Sequence, residues 1–186
     1  MSEYKEAIFN FITKSENFKA AFEVSEQMEE IKKKLITDFW KAVKIKIESK
    51  IEEKKLEWTI RLDDVFDTYS KLHIFTSGSY DISASYEGLS KNLLFGIWIH
   101  TQNGNFDQKD IDENIKKKNL FMDKNLNSKH WICWENYQDH FNKIETLMKI
   151  LIDIREKFAD EIATHLFKFA EENKVHIDEF CKMRIQ

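Results

Sequence analysis

Proline is absent from this sequence, and glycine occurs only four times in 186 residues. Both residues interrupt regular secondary structure, so their scarcity predicts long helices and strands with few forced turns. The two cysteines, Cys133 and Cys181, are too few for a disulfide framework and form no C-x-x-C pair. We therefore expect a protein of a reducing compartment, the cytoplasm.

Long apolar runs and a strong excess of one charge are also missing. No segment approaches the roughly 20 apolar residues needed to span a bilayer, and the polar residues 1–6 lack the apolar stretch of a secretory signal. The formal net charge is −4 with 33% charged residues, which is not the basic footprint of a dedicated nucleic-acid binder. A membrane protein is disfavoured, and nucleic acid becomes the second choice of partner.

Apolar residues, in contrast, are plentiful. They make up 42% of the chain and include 15 Phe and 5 Trp, which is enough to build a buried core and argues against intrinsic disorder. A length of 186 residues fits one domain. We predict a single domain over residues 1–186, of open oligomeric state because long helices can pack within one chain or across a two-fold axis.

Helical periodicity dominates the two ends of the chain. Residues 3–54 are predicted to form one or two short helices up to residue 22 and then a long helix capped by Ser25. The stripe of the long helix is Met28, Ile31, Leu35, Phe39, Val43, Ile47 and Ile51. A second long helix is predicted over residues 139–173, where apolar residues again recur every three or four positions, and a shorter helix over residues 107–119.

Residues 56–101 change to a period of two, which is typical of strands. The predicted strands are 56–62, 72–76, 80–86 and 93–100, with a tight turn at Ser77-Gly78-Ser79 and an edge strand or buried turn at 131–134. Loops this short cannot hold crossover helices, so the sheet is expected to be antiparallel. The predicted fold class is α+β, with a small antiparallel sheet of three to five strands packed by two long helices plus shorter helices.

Candidate metal-binding and catalytic residues each have a structural alternative. Asp63-Asp64-x-x-Asp67 supplies the oxygens that a divalent ion prefers, yet the pattern is also typical of a turn after a strand. Cys133 could act as a nucleophile beside a histidine, but its neighbours Ile132 and Trp134 indicate a buried thiol. We assign no catalytic residue, no metal ligand and no cofactor.

Two further patterns are incomplete. Glu161 and His165 share a helix face, but a zinc site needs more ligands than these two. The four glycines are isolated, so no phosphate-binding loop is present. An enzyme remains an alternative only if scattered residues such as Asp63, Asp64, His73 and His100 assemble in the fold.

Two groups of residues are candidates for binding macromolecules. Lys41, Lys44, Lys50 and Lys54 could contact phosphates from one helix, although interleaved glutamates favour a solvated helix face. The aromatic residues Trp131, Trp134 and Tyr137 are candidates for a protein interface, because such side chains often anchor interfaces; the alternative is that they belong to the core.

The order of elements resembles the C-terminal half of a bacterial and phage group in the PD-(D/E)XK nuclease superfamily. The resemblance covers roughly residues 25–175 and is carried by residues 36–40, Ile-Thr-Asp-Phe-Trp, by residues 94–97, Leu-Phe-Gly-Ile, by His130-Trp131-x-x-Trp134 and by the long final helix. The catalytic carboxylates and lysine of that group lie in an N-terminal half that this sequence lacks. The resemblance therefore implies an accessory fold and carries over no functional residue.

An acidic protein with an accessory fold and no recognisable active site is expected to act by binding another macromolecule. The first hypothesis is a non-enzymatic interaction protein, of phage or mobile-element type, that inhibits a larger nuclease or host-defence complex, as anti-CRISPR proteins do. The second is a nucleic-acid-associated accessory module of a restriction or nuclease system. The third is an enzyme with an unrecognised site.

Overall fold

The chain divides into two units, residues 1–35 and residues 36–186. The computed structural model describes residues 2–76, 78, 80–100, 108–118, 120–121, 123–126 and 130–182. The first unit holds helix α1, Glu3–Ile12, and the beginning of helix α2, Ser15–Glu53. The second unit holds the rest of α2, the β-sheet and the remaining helices.

The sheet has five antiparallel strands in the order β1-β2-β3-β4-β5, so each strand pairs with its neighbour along the chain. The strands are β1 Thr59–Leu62, β2 Lys71–Phe75, β3 Ile82–Glu87, β4 Asn92–Ile99 and β5 Trp131–His140. The other helices of the second unit are α3 Gln108–Lys118, α4 Ile144–Lys149 and α5 Arg155–Lys182. The predicted α+β class, with a small antiparallel sheet, long helices and shorter helices, is confirmed.

One face of the sheet packs against α2 and α5. Trp40 of α2 approaches Tyr86 of β3 with ring centroids 5.9 Å apart, and Phe95 of β4 meets Phe169 of α5 at 5.3 Å. The Trp40 indole also donates a buried hydrogen bond of 2.7 Å to the Leu89 carbonyl oxygen. Large aromatic rings therefore fill the core that covers this face.

The opposite face, which we call the outer face, is largely polar. Because side chains alternate along a strand, one face receives every second residue. The register places Arg61 beside His73, Lys71 beside Glu87 and Ser83 beside Trp98. The outer face therefore carries Arg61, Lys71, His73, Ser83, Ser85, Glu87 and Trp98.

Helix α2 differs from the prediction at its start. Ser25 lies inside one continuous helix that begins at Ser15, so it does not cap a second helix. The predicted apolar stripe exists, but it is buried only from Ile36 onward. Upstream of Ile36 the same periodicity lies on exposed surface, because the first unit has no core for it to enter.

The final long helix begins at Arg155 rather than at residue 139. Residues 139 and 140 end β5, and Asp139 then organises the next turn of chain. Its Oδ1 accepts hydrogen bonds from Thr146 Oγ1 at 3.4 Å and from Lys149 Nζ at 2.6 Å. These polar contacts tie the end of β5 to the short helix α4. The predicted turn residues Ser77 and Ser79 lie outside the described part of the chain.

Candidate functional site

The first unit exposes a group of aromatic side chains. We call this group, Tyr4, Phe9, Phe11, Phe18 and Phe22, the aromatic surface. The residues are between 55% and 75% accessible to solvent. Isolated exposed apolar residues are common on proteins, but a concentration of this kind makes the first unit a candidate site for binding another molecule.

The first unit has no core of its own. None of residues 2–35 is buried, and α1 buries no side chain at all. The helices are joined by Thr13 and Lys14, and the junction is held by local bonds such as Asn17 Nδ2 donating to the Phe11 carbonyl oxygen at 2.9 Å. Helices in water gain most of their stability from packing an apolar face, and residues 2–35 bury none, so this unit is a candidate binding surface.

The second candidate site is a chain of polar side chains on the outer face. His73 Nδ1 lies 2.9 Å from Ser85 Oγ and 3.0 Å from Ser83 Oγ. Ser83 Oγ is in turn 3.0 Å from His100 Nε2. On the other side of the His73 ring, Nε2 is 3.1 Å from Arg61 Nη2. Strand pairing thus brings together residues from β1, β2 and β3 and the residue that follows β4.

Asp63 contacts two members of this group of polar side chains, Arg61 and His73. Its Oδ1 is 3.3 Å from Arg61 Nε, and its Oδ2 is 3.5 Å from His73 Nε2. Three of the four residues predicted for a dispersed site, Asp63, His73 and His100, therefore do meet. Asp64 does not join them, because its Oδ1 accepts a local hydrogen bond of 3.0 Å from the Phe66 backbone.

Burial lowers the pKa of both imidazoles. For His73 desolvation is the largest cause, and the contact with Asp63 opposes it. For His100 burial, followed by the positive charges of His73 and Arg61, lowers the pKa to about 3. Burial alone would raise the pKa of Asp63, but the contacts with His73 and Arg61 outweigh it and hold that pKa below its ordinary value. Both histidines are therefore neutral at pH 7.

Two neighbours make opposite demands on the proton of the His73 ring. Arg61 Nη2, 3.1 Å from His73 Nε2, can only donate, whereas Asp63 Oδ2, 3.5 Å from the same nitrogen, can only accept. The shorter contact with Arg61 favours an accepting Nε2 and a proton on Nδ1, whereas a triad histidine accepts the proton of the serine hydroxyl. Ser83 and Ser85 are also fully buried, so a substrate does not reach them. The contacts of Arg61, His73, Ser83 and His100 are suited to holding four segments of the sheet together.

A pocket of about 450 Å³ lies on the outer face and is lined by Tyr69, Lys71, Glu87, Trp98, His130 and Trp131. Lys71 Nζ lies 3.2 Å from Glu87 Oε2 and 4.0 Å from the centroid of the Trp98 ring. It also donates a hydrogen bond of 2.8 Å to the Tyr69 carbonyl oxygen. The charge of Lys71 is therefore balanced within the protein.

The predicted interface residues occupy different environments. Trp131 is buried, with its ring centroid 4.9 Å from that of Trp98. Trp134 and Tyr137 are partly exposed, and the Tyr137 ring packs edge-on against Tyr86 at 5.6 Å. Trp131 and Tyr137 thus contribute to packing around β5. The strongly exposed aromatic residues are those of the first unit together with Tyr69 of the second.

The predicted phosphate-contacting lysines lie along α2, and two of them face carboxylates on α5. Lys50 Nζ is 3.2 Å from Asp160 Oδ1, and Lys54 Nζ is 2.5 Å from Glu171 Oε1. Lys44 pairs with Glu48 on the same helix at 3.5 Å, and Lys41 is exposed. The α5 carboxylates therefore reduce the positive potential that this helix could offer to a phosphate backbone.

The remaining chemical candidates lie inside the fold. Cys133 is fully buried, and burial raises its pKa to about 12, so it is not a thiolate at pH 7. His165 Nδ1 lies 2.6 Å from the Tyr86 hydroxyl and packs on core rings. Within the described residues, no group of three or more His, Cys, Asp or Glu side chains is placed to hold a metal ion.

Sequence reasoning missed Ser83, Ser85 and the aromatic surface. The alternation Ile82-Ser83-Ala84-Ser85 carried a signal, because two serines on one strand face predict a polar face. The aromatic residues gave no such signal, since a helical apolar pattern is the same whether the stripe is buried or exposed.

Comparison of the chain with protein-family models, with curated proteins and with solved structures returned no match. Across the described residues, none of the helices is both long enough and apolar enough to cross a membrane.

Proposed function

We propose that this protein is a non-enzymatic interaction protein that binds a partner protein through the aromatic surface of its first unit. The observation that carries the proposal is the exposure of Tyr4, Phe9, Phe11, Phe18 and Phe22 on helices that bury no residue before Ile36.

Energetics support a partner at this surface. Burying a large aromatic side chain contributes about 2 kcal/mol, so covering the five rings would stabilise a complex by several kcal/mol before the ordering costs are subtracted. Aromatic side chains are also the residues that most often dominate binding free energy at protein interfaces. The exposed group is therefore sufficient for a specific interface.

The partner class that we propose is a larger nuclease or host-defence complex, which this protein would inhibit by occupying a surface. Support comes from the resemblance to an accessory region of nucleases. The acidic balance of the chain, −4 overall, also complements the basic surfaces that nucleic-acid enzymes present.

Affinity capture tests the proposal. Tagged wild type and the double variant Phe11→Glu with Phe18→Glu are incubated with native bacterial lysate, and bound proteins are identified by mass spectrometry. Ile45→Glu is the matched control, because Ile45 is 60% exposed on α2 within the second unit. We expect a stoichiometric protein partner with wild type and with the control, and loss of that partner with the double variant.

Two results would contradict the proposal. One is a wild type that captures no protein. The other is a partner that the double variant retains as well as wild type does.

The third hypothesis, an enzyme, keeps one specific observation in its favour, which is the contact chain from Asp63 through His73 and Ser83 to His100. A fluorophosphonate probe labels serines that a histidine activates, so it reports directly on this arrangement. We expect no labelling of Ser83, because the serine is fully buried. Labelling that the Ser83→Ala variant loses would identify the protein as a serine-dependent enzyme.

A further inference from the structure

The pocket of about 450 Å³ on the outer face, which we call the outer pocket, has the size and the lining of a small-molecule site. Such sites span about 300–1,000 Å³ and are lined mainly by aromatic and apolar side chains with a few polar groups. The outer pocket is lined by four aromatic residues and one ion pair, namely Tyr69, Trp98, His130 and Trp131 with Lys71 and Glu87. All of them lie in the second unit.

The Trp98 ring is held in place by its neighbours. The His130 ring stacks on it with centroids 5.1 Å apart, and the Trp131 ring meets it edge-on at 4.9 Å. Lys71 Nζ lies 4.0 Å from its centroid, although Lys71 is on β2, Trp98 is on β4 and β3 lies between them. The wall of the pocket is therefore preorganised, which reduces the ordering cost of binding.

The ion pair makes the outer pocket electrically balanced. Lys71 Nζ lies 3.2 Å from Glu87 Oε2, and the two side chains are only 7% and 15% accessible to solvent. A charged ligand would lose its hydration in this pocket without gaining an opposite charge to compensate for the loss. The pocket is therefore suited to a neutral ligand.

Glu87 has hydrogen-bonding capacity that the described part of the chain does not use. Lys71 Nζ donates its hydrogen bond of 2.8 Å to the Tyr69 carbonyl oxygen. Glu87 Oε2 is buried, and within the described residues it accepts no hydrogen bond, although the ion pair balances its charge. A carboxylate only accepts, and a buried acceptor without a donor is costly. A ligand that brings an N–H group to Glu87 is therefore favoured.

Tyr69 adds an exposed aromatic ring to the pocket. It precedes β2, it is 70% accessible to solvent, and its ring centroid lies 5.8 Å from Lys71 Nζ. Flat heterocycles stack favourably on aromatic side chains of this kind. The outer pocket thus combines a surface for stacking, an acceptor for an N–H donor and no net charge.

We propose that the outer pocket binds a nucleobase that stacks on Tyr69 and donates a hydrogen bond to Glu87. Nucleobases are neutral, planar heterocycles with N–H donors at their edges, so they match all three properties. Guanine is expected to bind most tightly, because its Watson–Crick edge carries two adjacent N–H donors for the two carboxylate oxygens of Glu87. In a duplex this edge is already paired, so the base belongs to a free nucleoside or nucleotide or to a single strand.

Equilibrium dialysis with labelled guanosine tests the proposal. We expect saturable binding to the full-length protein with a dissociation constant on the order of 100 µM, which is ordinary for a ligand of this size. 1-Methylguanosine keeps the ring for stacking but lacks the N1–H donor, and we expect it to compete about ten-fold more weakly. Equal competition by 1-methylguanosine would show that Glu87 does not accept from the base.

Two variants test the residues of the site. Tyr69→Ala is expected to weaken binding about ten-fold through the loss of stacking. Glu87→Gln is expected to weaken it by a similar factor, because the amide offers one acceptor in place of two. Tyr4→Ala, which removes a tyrosine that is 75% exposed in the first unit, is the matched control and is expected to bind as wild type does.

Thermal unfolding shows whether each variant is folded. Since Glu87→Gln removes the partner of a buried lysine, its folding has to be checked, whereas Tyr69 is exposed and its replacement keeps the test valid in either case. No saturable binding by wild type up to about 1 mM guanosine, or binding that Tyr69→Ala leaves unchanged, overturns the proposal.

A single-stranded oligonucleotide distinguishes the two sources of the base. The probe is a five-residue oligothymidylate with a guanine at its centre, dialysed against the same protein. Binding at least about ten-fold tighter than that of guanosine assigns the pocket to a base within a strand. Binding of guanosine with weaker binding of the oligonucleotide assigns the pocket to a free nucleoside or nucleotide.

The outcome is independent of the proposed function. A protein that binds guanosine but captures no partner retains the nucleobase site and loses the proposed function. A protein that captures a partner through the aromatic surface but does not bind guanosine does the reverse.

Discussion

Gly96 occupies a point in the sheet where no side chain fits. A Cβ atom there would lie 2.0 Å from the Cys133 carbonyl oxygen and 2.8 Å from Trp134 Cα. Both are backbone atoms of β5 and cannot rotate away, so relief requires β4 and β5 to separate. The pairing of β4 with β5 at this point therefore depends on the absence of a Cβ atom at Gly96.

We predict that Gly96→Ala lowers the free energy of unfolding by about 3 kcal/mol, because it overpacks a site bounded by backbone. Gly78→Ala is the control, since a Cβ at Gly78 meets no atom within 4 Å; a change of under about 0.5 kcal/mol is expected for it. Urea denaturation monitored by tryptophan fluorescence measures both. Equal stability of the two variants would show that β4 and β5 do not approach each other this closely.

The two outer-face histidines make stability depend on pH. Burial lowers the pKa of His73 and His100 in the folded protein, so the unfolded chain binds more protons as pH falls below 6.5. Their contribution to stability is fully present above pH 6.5 and is lost toward the folded-state pKa, about 3 for His100. The lowered pKa of Asp63 changes the free energy of unfolding only near pH 4 and below.

Between pH 7 and pH 5 we predict a loss of about 2 kcal/mol in the free energy of unfolding, after allowance for the partial exposure of His100. The variant His100→Gln is expected to show a shallower dependence than wild type. Urea titrations at several pH values provide the measurement. If the stability of wild type does not change between pH 7 and pH 5, the claim that burial lowers the pKa of His73 and His100 is wrong.

At the scale of elements, the lysines of α2 are best understood together with the carboxylates of α5. Lys46, Lys50 and Lys54 each lie within 3.2 Å of a carboxylate on α5. Partly exposed pairs of this kind contribute little to stability, on the order of 0.5 kcal/mol each. Their larger effect is to cancel the positive potential of the helix.

We predict that wild type does not bind a labelled DNA duplex measurably in about 50 mM salt, as followed by fluorescence anisotropy. The double variant Asp160→Asn with Glu171→Gln removes two of the opposing charges and is expected to gain weak, salt-sensitive binding. Tight binding by wild type that falls steeply toward about 200 mM salt would instead support the hypothesis of a nucleic-acid-associated module.

The elements themselves were largely predictable because each has a local signal. Alternation identified β2, β3 and β4 to within about two residues, and the helical spacing of the stripe after Met28 identified α2. The break before α5 was not predictable, since the apolar spacing continues through Ile144 and Met148. Both of these residues are exposed, and residues 150–154 form turns between α4 and α5. Apolar spacing alone does not show that these residues leave the helix.

The site was less predictable than the helices and strands, because it depends on contacts between residues far apart in the sequence. His73 and His100 were recognised as candidates, but their contact depends on the register of three strands. Burial of Trp131 and exposure of Phe18 also depend on what covers each surface, which periodicity does not report. The resemblance to nuclease-related proteins stays a prediction, and Trp40, one of the residues that carry it, is part of the core.

At the scale of the whole molecule, the chain joins a unit that has its own core to a unit that has none. Helix α2 runs through both, with a buried stripe after Ile36 and an exposed one before it. The central claim is that residues 2–35 are an interaction surface whose helices are stabilised by what binds them.

Hydrogen exchange measured by mass spectrometry tests this claim most directly, by comparing residues 15–35 with residues 36–53 of the same helix. In the wild-type protein without a partner, we predict fast exchange over 15–35 and slow exchange over 36–53, because only the second segment packs on a core. Protection of 15–35 should rise when a captured partner protein is added. Equal, strong protection of both segments in the unpartnered protein would contradict the claim.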